Sequence, residues 1–109
     1  MVERRACDII RSTEEVLAGM FERPLTVSDA LRLLRTLNHL ADARETLCPE
    51  IRSEEALPEP LKSSFCSFLN RFLEAAVSEV EREGRITRPD EFTSTVYYVD
   101  KLKKTYSCR

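Results

Sequence analysis

The sequence predicts an all-α protein, a four-helix antiparallel up-down bundle, on three observations. Apolar residues recur at steps of three and four through four segments, the period of a helix with one buried face. Only two glycines, Gly19 and Gly84, interrupt 109 residues. Three of the five prolines lie between positions 48 and 60, leaving one long connector and short links after the first and third segments. The expected helices cover 3–22, 28–47, 61–83 and 90–105.

The first segment carries Ala6, Ile9, Ile10, Thr13, Val16, Leu17, Met20 and Phe21 within an arc of about 140°. Gly19 lies outside that arc, and Pro24 closes the segment. The second opens on Thr26-Val27-Ser28-Asp29, a hydroxyl followed three residues later by a carboxylate, which is close to a capping box. From Val27 through Leu34 and Leu37 to Leu47 its apolar side chains spread over about 200°, as expected of a helix with several neighbours. Arg44 is the one charge inside that arc, where it is expected to snorkel outward or to pair with an acid of the connector.

Residues 48–60 read as a Pro/Glu-rich connector with room for one helical turn, and Pro60 suits the first turn of the third helix. That helix carries Leu61, Phe65, Phe68, Leu69, Phe72, Leu73, Ala76, Val77 and Val80, and Gly84 stops it as a left-handed cap. In the fourth segment Thr93 to Val99 has the composition of a strand. The spacing of Phe92, Val96, Val99, Leu102 and Tyr106 decides for helix, with 105–109 as a short basic tail.

A chain of 109 residues and 12.6 kDa suits a single domain, 1–109. With 42% apolar and 33% charged residues it is not a disordered chain. Surface scaling anticipates about 6,200 Å² exposed after folding, about a third of the unfolded chain's area. The charged start and the two-residue Ile9-Ile10 run do not make a signal peptide, and no run is long enough for a membrane span. The expected setting is therefore intracellular and cytoplasmic, with a nuclear location compatible, and no membrane partner.

Four cysteines invite redox or metal chemistry, but Cys7, Cys48, Cys66 and Cys108 contain no Cys-x-x-Cys. They are read mainly as small apolar fillers and free thiols, with no metal or cofactor expected. An up-down bundle would nonetheless gather all four at one end, which keeps a thiol cluster, disulfide or metal site as the alternative. Carboxylate clusters such as Glu14-Glu15 and Glu79-Glu81-Glu83 read as solvated surface, and no Gly-rich loop is present to hold a phosphate.

The single histidine, His39, projects opposite the apolar arc of its helix, beside Arg32 and Arg35. Arg32 and His39 are spaced as Arg-x6-His, which resembles the Arg/His motif of the small helical HEPN ribonucleases over eight residues, with Leu33 standing where that family often has a polar residue. The resemblance implies an RNA-cleaving face built from Arg32, Arg35 and His39.

Charge is distributed unevenly: residues 74–83 carry four glutamates against Arg82, whereas 101–109 carry Lys101, Lys103, Lys104 and Arg109 with no acid. The formal net charge of -2 hides this division. The reading that fits best is a non-catalytic helical module that binds another protein or itself, as an adaptor, assembly subunit or small regulator. Tyr97, Tyr98, Lys101 and Lys104 are the expected contacts on the fourth helix, with Glu54 and Glu55 of the connector as a second surface. The alternative is a nucleic-acid-associated factor using the basic fourth helix, and the third reading is the Arg/His ribonuclease.

Overall fold

A computed structural model describes the backbone of residues 2–108 and the side chains of 4–108. It contains α1 (Val2–Met20), α2 (Val27–Leu47), α3 (Glu59–Glu83) and α4 (Pro89–Thr105), with a single 3-10 turn at Ser53–Glu55 and no strand among the described residues. The all-α bundle expected from periodicity is what forms. Local chemistry explains most of the ends. The Thr26 hydroxyl accepts from the Asp29 amide at 3.1 Å and satisfies one free donor of α2. Pro60 sits in the first turn of α3, which therefore starts at Glu59, two residues before expectation. Gly84 closes α3 at φ 71°, a conformation that favours glycine. α1 stops at Met20, and tighter amide bonds such as Phe21 N–H to Ala18 C=O turn the chain toward Pro24. Residues 93–99 are helical, and the Thr95 hydroxyl is satisfied by the Glu91 carbonyl at 2.8 Å.

The helices stand around the core in the order α1, α2, α4, α3, because α2 packs on α1 and α4, and α3 packs on α4 and α1. Consecutive helices α2 and α3 thus lie across the diagonal, and the long connector crosses one end of the bundle with Ala56 and Leu57 buried. Leu34, Leu37, Phe65, Leu69, Val99, Leu102 and Tyr106 fill the centre. Phe21 lies against Phe65 and Phe68, at ring separations of 5.3 and 4.7 Å, and Phe65 meets Tyr106 edge-on at 5.7 Å.

The buried face of α1 differs from its apolar arc. Cys7, Glu14, Ala18 and Phe21 point inward, whereas Ile9, Val16 and Met20 are 59%, 64% and 39% exposed. On a helical wheel the inward face is turned from the apolar arc by about 100°, the angle of one residue. Ile10, Leu17 and Phe21 serve both faces, so the rotation retains a greasy inner edge while carrying Glu14 into the core.

The molecule measures 54 × 25 × 22 Å with a radius of gyration of 14.8 Å, against about 13 Å for a compact chain of this length. Its surface of 7321 Å² likewise exceeds the area of about 6,200 Å² that scaling anticipates. The excess has a source. Phe21 at the end of α1 meets Phe65 and Phe68 in the first half of α3, so the second half of α3 extends past α1.

Candidate functional site

Two features concentrate the unusual chemistry: a charged cluster inside the closed end and an apolar ridge on α1. The closed end is the one where α2 and α4 finish. Here Arg44 Nε donates to Glu14 Oε1 at 2.7 Å, and the Tyr106 hydroxyl donates to Glu14 Oε2 at 2.5 Å. All three residues are fully buried. Arg44 is therefore neither snorkelled nor paired with the connector; its partner comes from α1, a residue the sequence had suggested to be solvated. The two Nη groups of Arg44 are buried without a hydrogen-bond partner, so the geometry satisfies the carboxylate better than the guanidinium. The Tyr106 phenol is held far above its ordinary pKa, first by burial and then by the adjacent Glu14 charge.

Two disulfides brace this cluster. Cys7–Cys48 ties α1 to the residue following α2, and Cys66–Cys108 ties α3 to the segment beyond α4, at Cα separations of 6.0 and 5.6 Å. All four cysteines are bridged, so the free-thiol reading is corrected and the disulfide alternative holds: neighbouring antiparallel helices bring Cys7 to Cys48 and Cys66 to Cys108 within bridging reach. The expected tail is corrected for the same reason. Tyr106 is core and Cys108 is bridged, while Arg109 lies outside the described residues. Among the described residues no group of His, Cys, Asp and Glu could hold a metal ion, and no helix is long and apolar enough to cross a membrane.

No protein-family model, curated protein or solved structure matches this chain.

The expected contact residues of the fourth helix lie beside one another on α4, with Glu54 and Glu55 on the separate 3-10 turn. Tyr97 is 53% exposed, but Tyr98 is half-buried and packs edge-on against it at 5.1 Å. Lys101 reaches Asp42 of α2 at 3.2 Å, a hydrogen bond that raises its pKa, and Lys104 pairs with Asp100 at 3.1 Å. The basic stretch of α4 is thus partly neutralised by its own chain. Glu54 and Glu55 are exposed on the 3-10 turn, where Arg52 pairs with Glu54 at 3.7 Å. Arg32, Arg35 and His39 are all exposed on α2, as their angle on the wheel requires.

The ridge on α1 is exposed, although its residues belong to the apolar arc expected to face inward. Ala6, Ile9, Thr13, Val16 and Met20 follow steps of three, four, three and four, which is the a/d pattern of a helix that packs on another helix. The inward residues Cys7, Ile10, Glu14, Leu17 and Phe21 follow the same pattern one residue later. α1 thus carries two parallel seams, of which the bundle uses one. The Thr13 hydroxyl is satisfied within the helix by the Ile9 carbonyl at 2.8 Å, leaving its methyl free for packing. Beside the outer seam lie Ile10 and Leu17 on one flank and Ser12 and Gly19 on the other, with Arg5 as the single bordering charge. A Cβ added at Gly19 would meet nothing within 4 Å, so a second backbone has room to approach there.

Proposed function

We propose that this chain is a non-catalytic helical interaction module that pairs with a second copy of itself through the outer seam of α1. The observation that carries the reading is the ridge of Ile9, Val16 and Met20, left exposed at heptad spacing by the rotation of α1. Charge argues for a like partner. Of the positions that usually select a different chain by ion pairing, Ile10, Leu17, Ser12 and Gly19 are uncharged and only Arg5, at the end of the seam, carries charge, so two copies meet with little repulsion along it. The surface in excess of scaling is in keeping with a subunit that has a partner. Lys101 and Lys104, already paired with Asp42 and Asp100, give the nucleic-acid reading less to work with. The two bridges favour an oxidising compartment over the cytoplasmic setting expected from the charged start of the chain.

Sedimentation velocity over a range of concentrations tests the reading. The wild-type chain is expected to shift from 12.6 kDa toward about twice that mass, a two-fold pair. Val16→Glu, placed at an exposed position, is expected to remain monomeric with unchanged helical circular dichroism. A wild-type chain that stays monomeric throughout, or a variant that dimerises equally well, overturns the reading.

A further inference from the structure

The open end of the bundle has a slot shaped for a fourth helix. α1 ends where Phe21 meets Phe68, whereas α3 continues to Glu83, so about 22 Å of α3 rises beyond the last turn of α1. Along this stretch α2, α4, the α3–α4 link and the α1–α2 link, whose half-buried Leu25 packs on the core, remain to cover it. The consequence is visible in burial: the fully buried residues of α3, Phe65 and Leu69, both lie in its first half, while Phe72, Leu73, Ala76 and Val80 are only half-covered. A cavity of about 140 Å³ opens among Val27, Phe72, Ala76, Val80, Ile86 and Phe92. Val27 and Ile86 stand at its lip, 46% and 45% exposed. Ala75 and Ala76 on its wall leave space for a neighbouring backbone.

The rim of this slot is acidic. Glu79 lines it, and Glu83 follows one turn later on the same side of α3; both are exposed. Two cations stand nearby, Arg85 exposed on the α3–α4 link and Arg88, which lines the slot and pairs with Glu91 at 3.3 Å; against them are Glu79, Glu83, Asp90 and Glu91, so acids still outnumber bases at the lip. Residues 74–83 hold Glu74, Glu79, Glu81 and Glu83 against Arg82, and Arg82 is itself within 3.7 Å of Glu83.

The geometry points to a docking site for a partner helix of about four turns, apolar on one face and bearing Lys or Arg along its edges, seated in line with α1 between α2 and α3. Length follows from the unaccompanied stretch of α3, the apolar face from the Phe72, Val80 and Phe92 floor, and the basic edges from Glu79 and Glu83. This site is separate from the outer seam of α1: a chain monomeric by sedimentation can still bind such a helix, and failure of either idea leaves the other standing.

The test uses the full-length oxidised chain and two labelled peptides of about sixteen residues, with leucines at helical spacing and either lysine or glutamate at every other position. Fluorescence anisotropy measures affinity, and amide chemical shifts in labelled protein locate the contact. The lysine peptide is expected to bind, with shifts confined to residues 72–95 and the start of α2, and the glutamate peptide to bind at least about tenfold more weakly. Ile86→Asp and the pair Glu79→Lys, Glu83→Lys change exposed positions, so the fold persists, and each is expected to weaken the lysine peptide about tenfold or more. Absence of binding up to about 1 mM, equal binding of both peptides, indifference to these substitutions, or shifts centred on α1 overturns the assignment.

Discussion

The two ends of this bundle are built on opposite plans. At the closed end the connector crosses the helices, two disulfides join the elements in pairs, and a carboxylate, a guanidinium and a phenol are sealed together without water access. At the open end α1 is missing, every residue from 81 to 90 is exposed, and all described ion pairs are on the surface. One end spends covalent and electrostatic interactions on holding helix registers; the other leaves apolar surface uncovered. The difference teaches that stability and recognition have been separated along the long axis of a small molecule, as local stabilities in a fold are free to differ.

The largest break in that contrast is removal of the bridges. Each closes a loop of about forty residues, for which the chain-entropy account gives about 4 kcal/mol of stabilisation. Replacing Cys7, Cys48, Cys66 and Cys108 by serine should therefore lower denaturant stability by several kcal/mol, read from urea midpoints against the oxidised wild type. A shift within about 1 kcal/mol would mean that helix packing alone holds the closed end.

Glu14→Ala comes next. It strands the Arg44 charge and the Tyr106 hydroxyl in the core, with an expected loss of about 3–5 kcal/mol in the same assay. Glu79→Ala at the open end should change stability by no more than about 0.5 kcal/mol. Replacing Glu14, Arg44 and Tyr106 together by Leu, Met and Phe should recover most of the loss, because no buried charge then lacks a partner. If the single and triple variants are equally unstable, the cluster contributes shape and not charge balance.

The smallest effect is alkaline. The folded pKa of Tyr106 lies far above the ordinary value of 10.0, so the folded state keeps a proton that the unfolded chain releases. That contribution is fully present below about pH 10 and is lost as the pH rises toward the folded value. Stability measured from pH 8 to 11 should accordingly fall above about pH 10, and Tyr106→Phe should show a shallower decline.

Much of the scaffold was legible in the sequence because it rests on local chemistry. The Thr26 cap, Pro60 in the first turn and Gly84 after the last one each act within a few residues, and helix periodicity needs no knowledge of neighbours. The diagonal placement of α2 and α3 was not legible, since it depends on how Ala56 and Leu57 of the connector pack across the end. The rotation of α1 was hidden for a related reason. An apolar arc reports where burial is favourable, and α1 has two overlapping arcs of which long-range partners choose one. A signal existed: Arg44 inside an apolar face requires an acid, and Glu14 shares its angle with Cys7, Ala18 and Phe21. Reading Arg44 and Glu14 together would have turned α1, and the outer seam of Ile9, Val16 and Met20 would have followed.

Native-state amide exchange resolved by residue tests the division between the ends most directly. Amides of α2 and α4 near Arg44 and Leu102, together with those around Leu69, should exchange only through global unfolding, whereas those of 76–84 and 89–95 should exchange through local opening at lower free energy. Uniform protection along α3 and α4, or slower exchange at the open end than at the bridged one, would contradict the account.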